Sequence, residues 1–356
     1  MKLSLFLVGL SLTASIFAQP TPAPALGERT YHVEQNVSLT EIPAGAKLVK
    51  WWIAIPDNAK DQALLDFAVT SAPGRWEIVR ERDHGNRFLY VEIQNPSTAE
   101  LTTKISYAIH RQASFVALDP EKAGAITESH RKLLAEDLVL DAPHMQVTPR
   151  IAKLAAEACK DETNLVKQAK LLLNAVADDN KHYSIDPSKP KCSVGDAEAC
   201  MNAGGGCCTD LHSLFIALAR ARGIPARLQM GYRLQEANVG KEVDPGYRCW
   251  AEYFVPNYGW IPTDIVEAEN PKGLGRERWF SGLTERRVHL NEGREFDLAG
   301  RADTSSRVNT MVIGYAEIDG TPVRVIPEGT KLAQLTRRVR FTEEKPAATV
   351  AQADVR

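Results

Sequence analysis

A cysteine stands where a predicted buried helix begins. Apolar residues recur at helical spacing after Gly206-Cys-Cys-Thr-Asp210, and Gly223 followed by Pro225 stops the pattern, which predicts a helix from about Cys208 to Arg222. The free N–H groups and the positive dipole end of the first turn favour a thiolate at Cys208 and can hold an oxyanion. The residue is therefore a candidate nucleophile. The alternative is a packing role, because free cysteines are among the most buried residues.

A predicted β-hairpin follows this helix and the strand 226–234. Two short aromatic, β-prone runs between Tyr247 and Asp264 flank the turn Pro256-Asn-Tyr-Gly259. The second of these runs ends at Asp264.

The helix and the hairpin together resemble the transglutaminase-like superfamily of cysteine acyl-transfer enzymes over residues 165–290. That family carries Gly-x-Cys-x-Asp/Glu before a helix ending in Arg-x-x-Gly-Ile-Pro-Ala-Arg, then His-x-Trp-x-Glu, then Gly-Trp followed closely by Asp. The matching positions in this chain are 206–210, 220–227, Trp250, Glu252, 259–260 and Asp264. The resemblance implies that Cys208 is the nucleophile and that Asp264 orients the base.

One position departs from the family pattern, because Arg248 stands where the family has its histidine. In the family mechanism the thiolate attacks an amide carbonyl, the histidine protonates the leaving amine, and a thioester remains. A guanidinium stabilises a thiolate but shuttles no proton at neutral pH, and it could instead pair with Asp264. We interpret His212, one turn into the helix, as a core residue; a replacement role for His182 or His289 stays open.

The resemblance also suggests residues around the cleft. We expect the cleft at the N-terminus of the 208–222 helix, walled by Trp250 and the loop 187–206. Tyr183 is a candidate for the cleft wall, with a core aromatic as the alternative, and Asn202 is a candidate oxyanion donor.

The start of the chain predicts export. Residues 1–18 hold one lysine, an apolar run and a terminal alanine, which is typical of a cleavable signal peptide. We therefore expect a periplasmic or secreted protein. Elsewhere the chain lacks an apolar stretch of about 20 residues, so we expect no membrane span after cleavage. The formal net charge of −2 gives no indication of nucleic-acid binding.

Six cysteines in an exported chain raise the question of disulfides. Cys192 and Cys200 are close enough for a loop-closing bond, whereas Cys208 must stay reduced to react. Apolar neighbours favour buried free thiols at Cys159 and Cys249. The cysteine and histidine spacings fit no zinc motif, so we expect no metal and no cofactor.

The remaining pattern predicts an α+β protein. Short alternating strands indicate an N-terminal antiparallel β-sandwich, followed by a transglutaminase-like (papain-like) α+β domain whose helix-borne cysteine packs on an antiparallel sheet. The predicted parts are a signal peptide at 1–18, a linker at 19–28, the sandwich at 29–113, a connector at 114–147 with a short strand at 137–141, the transglutaminase-like domain at 148–300, C-terminal strands at 301–342, and a disordered tail at 343–356.

Two functions remain open on the sequence alone. The first is an exported transglutaminase-like cysteine hydrolase or acyltransferase acting on peptide or glutamine amides, cell-wall peptide included, and impaired by Arg248. The second is a non-catalytic module that binds peptide or cell-wall segments on the same scaffold, a pseudoenzyme.

Overall fold

The computed structural model describes residues 27–191, 194–323 and 335–344. The predicted signal peptide, most of the predicted linker and residues 345–356 of the predicted tail lie outside them. Within the described ranges, no helix is long and apolar enough to cross a membrane.

The strands are numbered in chain order. They are β1 (Glu28–Leu39), β2 (Leu48–Ala54), β3 (Gln62–Ser71), β4 (Arg75–Arg80), β5 (Arg87–Gln94), β6 (Leu101–Gln112), β7 (Ser114–Phe115), β8 (Lys181–His182), β9 (Gly205–Gly206), β10 (Ala226–Arg233), β11 (Arg248–Val255), β12 (Gly259–Thr263), β13 (Gly282–Leu283), β14 (Arg287–Glu292), β15 (Gly314–Ile318), β16 (Thr321–Val323) and β17 (Leu335–Glu344).

The helices are numbered in the same way. They are α1 (Glu128–Leu133), α2 (Pro149–Cys159), α3 (Leu165–Asp179), α4 (Ala197–Ala203), α5 (Cys208–Ala221), α6 (Ile265–Ala268) and α7 (Arg276–Phe280).

Two antiparallel sheets form the N-terminal layer pair, with strand orders β17-β1-β6-β3 and β16-β15-β2-β5-β4. Their buried faces share one apolar core that includes Val33, Trp51, Phe88 and Ile105. Alternate residues of β1 are buried from Tyr31 to Leu39, as expected for a strand with one face on a core. The predicted α+β class with an N-terminal antiparallel β-sheet domain is confirmed.

The end of the described chain returns to this domain. β15 pairs with β2, and β17 pairs with β1 over ten residues. Glu343 and Glu344 belong to β17, so the tail predicted to begin at 343 starts too early by two residues. The charged residues of β17 alternate with buried apolar ones, a strand pattern that the overall polarity of the segment obscures.

Two local expectations differ from the structure. The predicted strand at 137–141 is wrong, because Glu136–Leu138 forms a 3-10 turn and Leu140 is exposed, so no period-two burial develops. β3 was not predicted at all. Its register shifts between Leu64 and Asp66 and again between Val69 and Ser71, and such bulges break the alternation that marks a strand.

The second domain packs helices on the antiparallel sheet β12-β11-β10-β14. Thr148, Asn164 and Asp196 cap α2, α3 and α4 with side-chain hydrogen bonds. Every residue of α5 from Cys208 to Arg220 is buried. A helix that is covered on all sides is the centre of its domain, and α5 is the element around which the site is built.

Candidate active site

The turn before Cys208 is held by Asp210. The Asp210 carboxylate accepts hydrogen bonds from the N–H groups of Cys207 (2.8 Å) and Asp196 (3.1 Å). It closes the start of α5 in the manner of a capping box. A Cβ at position 206 would overlap the same carboxylate, so Gly206 is required by close approach. The Gly-Cys-Cys-Thr-Asp pattern is thus a local device that presents Cys208 in the first turn.

The Cys208 thiol is 3% exposed and lies against β11. Hydrogen bonding from the Cys249 thiol is the largest influence lowering the pKa of Cys208 to about 7, and burial opposes it. The Arg248 guanidinium and the Cys249 backbone N–H lower the same pKa further. At neutral pH a large fraction of Cys208 is therefore thiolate, the nucleophilic form.

His212 is fully buried beneath Cys208, with both ring nitrogens engaged. Its Nε2 accepts from the Ile265 N–H (3.1 Å), which places the proton on Nδ1, and Nδ1 donates to the Cys208 carbonyl oxygen (2.6 Å). Burial lowers the pKa of His212, so the ring stays neutral. His212 is a structural tie between α5 and α6 and offers no free base.

Asp264 lies on the Cys208 side of the sheet, close enough to raise the pKa of that thiol. It is fully buried at the start of α6, where it accepts from the Glu267 N–H (3.1 Å) and lies 3.7 Å from His212 Nε2. Its ion-pair partner is Arg287 of β14, which also binds Glu267 at 3.0 Å. The alternative pairing of Asp264 with Arg248 is not formed, because Arg287 already occupies the carboxylate.

Arg248 is half-buried at the start of β11, and its Nη1 donates to the Tyr247 carbonyl oxygen (2.9 Å). Its charge acts on two neighbours, lowering the pKa of Cys208 and that of His182. The guanidinium therefore lies close enough to the thiol to stabilise its charged form.

His182 and Tyr183 lie beside the glycines that lead into α5. β8 pairs in parallel with β9, and the Tyr183 N–H donates to the Gly206 carbonyl oxygen (2.9 Å). The centres of the two rings lie 4.4 Å apart, and their planes are tilted by 35°. Burial and the Arg248 charge lower the pKa of His182 to about 4. The Ser184 N–H donates to His182 Nδ1 (3.2 Å), so the neutral ring carries its proton on Nε2 and is a donor.

Two other predicted residues lie in different surroundings. Asn202 is exposed on α4, and its side-chain oxygen accepts from Arg150 on α2. Trp250 packs edge-on against His289 at 6.0 Å and lines a cavity on the face of β11 opposite to Cys249. Successive residues of a strand point to opposite faces, and the sequence pattern did not reveal which face the helix would cover.

The sequence alone assigned no role to Cys249 or Arg287. Cys249 contributes most to the lowered pKa of Cys208, and Arg287 is the ion-pair partner of Asp264. Cys249 lies 3.4 Å from His212 Nδ1 and 3.6 Å from the Thr209 hydroxyl, facing α5. Alternation along β11 could have placed Cys249 on the helix side. Arg287 follows Asp264 by 23 residues, and only strand pairing brings it near.

Five cysteines, at 159, 200, 207, 208 and 249, are buried free thiols. The predicted disulfide between Cys192 and Cys200 is therefore not supported, since Cys200 is free; Cys192 lies outside the described residues. Within the described part of the chain, no group of three His, Cys, Asp or Glu side chains is arranged to hold a metal ion.

Part of the chain matches a known family model. Residues 152–265 match the family model described as "Transglutaminase-like superfamily". A Haemophilus influenzae protein named "Uncharacterized protein" is 29% identical over 211 residues, which cover 51% of this chain and 56% of the relative. The chain thus spans little more than half of that relative's length.

Solved structures give the fold. The crystal structure of a "Putative Cysteine Protease" from Cytophaga hutchinsonii superposes with a TM-score of 0.60 at 15% identity, covering 91% of this chain and 94% of that one. The periplasmic domain of TgpA from Pseudomonas aeruginosa gives a TM-score of 0.30 at 17% identity over 63% and 88% of the two chains, too low to inform the fold. The predicted resemblance to the transglutaminase-like superfamily is confirmed.

Proposed function

We propose that this chain, whose residues 152–265 form a domain of the transglutaminase-like superfamily, is an exported cysteine hydrolase or acyltransferase. It acts on peptide or glutamine amide bonds, cell-wall peptide among them, through a thioester on Cys208. The observation that carries this proposal is the Cys208 thiol in the first turn of α5, with its pKa lowered to about 7. We include three further residues in the proposed site: Asp264 and Arg248, whose charges act on the thiol, and Tyr183, which is hydrogen-bonded to the glycine two residues before that cysteine.

The chemistry divides into a step that the site supports and a step that it does not. The thiolate can attack a carbonyl carbon, and the N–H groups of the helix start favour the negative oxygen that forms. An amide nitrogen must then be protonated to leave. Arg248 supplies no proton at neutral pH. Neither His212 nor His182 presents a free basic nitrogen, because hydrogen bonds fix both tautomers.

Amides and activated acyl groups should therefore behave differently. The aryloxide of an aryl ester, or the thiolate of a thioester, leaves without being protonated. Such substrates therefore acylate Cys208 readily, whereas an amide reacts slowly. Water also needs a base to resolve the thioester, so the acyl-enzyme accumulates and product appears as a burst. Intact-protein mass spectrometry would detect the acyl group on the wild-type protein.

The test is Arg248→His, measured on an aryl ester and an anilide of the same glutamine-containing peptide. A restored acid–base residue is typically worth about 10² to 10⁴ in rate. We expect that gain on the anilide and a smaller one on the ester, and Cys208→Ala should abolish both. Arg233→His, which places a histidine on the neighbouring strand β10, serves as the matched control and should give no gain.

A wild-type protein that already cleaves the anilide quickly and is slowed by Arg248→His would show that Arg248 has its own catalytic role. The impaired-enzyme mechanism would then be wrong.

The presence of arginine at the histidine position favours one second candidate, a non-catalytic module that binds peptide or cell-wall segments. In that case neither the wild type nor Arg248→His would acylate on any substrate, while both would bind peptide by calorimetry.

The export part of the proposal depends on residues 1–18. Cell fractionation should find the protein in the periplasm or the medium, with an N-terminus following residue 18. A cytoplasmic protein that begins at Met1 would contradict export without affecting the site.

A further inference from the structure

A cavity of about 390 Å³ lies on the face of the β10–β11 sheet that α5 does not cover. Trp250 and Glu252 of β11 line one side, together with His289 of β14. Arg111 of β6 and Asp61, in the turn before β3, line the other side. The volume is within the range of small-molecule sites, and both domains contribute walls.

Arg111 is a buried charged residue of this cavity without an ion-pair partner among the described residues. It is 3% exposed, its Nε is buried without a hydrogen bond, and no carboxylate of the described residues lies within 4.0 Å of it. Burial lowers the pKa of Arg111 to about 10, so the group stays charged at neutral pH. Burying a charge without an ion-pair partner costs several kcal/mol, a cost that the more distant charges of Asp61, Glu252 and Glu285 offset only in part.

The other arginines of the cavity are paired. Arg227 lies between Glu252 at 2.8 Å and Glu292 at 2.7 Å, and Arg80 contacts Asp57 at 2.9 Å. The carboxylates nearest to these groups are thus already in use. Arg111 is thus left without a direct ion pair among the described residues, and a ligand's carboxylate can supply one.

Asp61 gives the cavity a second unused charge. Its carboxylate makes no ion pair within 4.0 Å among the described residues, although it is the acidic group with the largest effect on Arg111. A cation and an anion that face one cavity without touching suit a molecule that carries both charges. The guanidinium binds a carboxylate in a two-pronged manner, and Asp61 suits an ammonium.

We propose that this cavity is a second binding site, for a small zwitterion of amino-acid or dipeptide size. Arg111 holds the ligand's carboxylate, Asp61 faces its amino group, and Trp250 supplies an apolar wall. The site lies across the sheet from Cys208 and does not depend on the proposed acyl transfer.

The experiment is isothermal titration calorimetry on the full chain carrying Cys208→Ala, so that turnover cannot contribute. Glycylglycine is the probe, with N-acetylglycine and glycinamide as carboxylate-only and amine-only comparisons. We expect saturable binding of glycylglycine, weaker binding of N-acetylglycine and none of glycinamide. Arg111→Gln should weaken binding about tenfold to a hundredfold, as expected for loss of hydrogen bonds to a charged group.

Arg80→Gln is the matched control, because Arg80 lines the same cavity but is paired and largely exposed. This variant should bind glycylglycine as tightly as the Cys208→Ala protein does. Arg111→Gln should also leave the melting temperature of the empty protein unchanged or higher, since it removes an uncompensated buried charge. Arg111→Lys keeps the charge but cannot bind a carboxylate through two parallel N–H groups. It provides a second variant should Arg111→Gln not fold.

Absence of saturable heat with glycylglycine would overturn the proposal, as would unchanged affinity in both Arg111 variants. Glycinamide binding as well as glycylglycine would overturn the role of Arg111 as the anchor. Failure of the acyl-transfer assays would leave this result unaffected.

Discussion

The two faces of the β10–β11 sheet hold opposite kinds of chemistry. The face under α5 carries sulfur and a neutral imidazole, with Cys249 between Thr209 and His212. The other face carries charge, with Arg227 held by Glu252 and Glu292 above a cavity. Neighbouring residues of β11 point to both faces, so this one strand separates the solvent-shielded site of the nucleophile from the polar cavity.

The two faces also differ in how far their charged and hydrogen-bonded contacts are exposed to solvent. Under α5 a few hydrogen bonds move the pKa of Cys208 substantially, since water is excluded. On the open face the ion pairs are partly solvated, and each contributes little to stability. Substitutions on the two faces should therefore differ in how much they change the stability of the fold or the pKa of a neighbouring group.

The largest effect is expected at the buried ion pair behind Cys208. Asp264→Asn removes the charge that faces Arg287, both residues being at most 1% exposed. Breaking a buried pair typically costs 3–5 kcal/mol. We expect about 3 kcal/mol, because Glu267 still accepts from Arg287. Urea unfolding measures the loss.

Adding Arg287→Met to Asp264→Asn should recover much of that stability, since no charge then remains buried alone. A loss below about 1 kcal/mol in the single variant would show that Arg287 reaches water and would remove the contrast between the faces.

A middle-sized effect is expected at Cys249. Cys249→Ala removes the hydrogen bond that lowers the pKa of Cys208 most, so the thiolate should form at higher pH. A bond worth about 1–1.5 kcal/mol corresponds to about one pKa unit. The rate of iodoacetamide alkylation at Cys208 should rise through pH 7 in the wild type, and through about pH 8 in the variant.

Cys159→Ala, a buried thiol on α2, is the control and should leave the alkylation midpoint unchanged. A midpoint that stays near pH 7 in Cys249→Ala would instead assign the low pKa to Arg248 and the helix start.

The smallest effect is expected on the open face. Glu292→Gln removes the charge facing Arg227, whose side chain is 23% exposed, while Glu252 remains as a partner. We expect a change in unfolding free energy below about 1 kcal/mol. A loss of unfolding free energy as large as that of Asp264→Asn would mean that the ion pairs on the two faces are equally shielded from solvent.

The nucleophile helix was predictable because its signals are local. The start at Cys208, the cap by Asp210 and the stop at Gly223 lie within one stretch, and the structure ends the helix at Ala221. The hairpin of β11 and β12 was predictable for the same reason. These short-range patterns also carried the family resemblance.

The partners of the site residues were not predictable, because they depend on distant pairings. Arg287 reaches Asp264 through the pairing of β14 with β10, and β17 reaches β1 across the whole chain. The face chosen by Trp250 depends on which side α5 covers. Strand β3 was missed because its bulges disrupt the period of two.

Because β17 pairs with β1, residues far apart in the sequence must meet before this sheet can form. β1 begins at Glu28, yet one of its two neighbouring strands begins at Leu335 and spans ten of its residues. Until that last strand arrives, β1 presents a row of open hydrogen-bonding groups, the kind of edge along which chains aggregate. Among the described strands, β1 is thus made first but is enclosed only after β17 has been synthesised, so its sheet depends on contacts between residues far apart in sequence. Cutting the chain before residue 335 would leave the same edge open permanently.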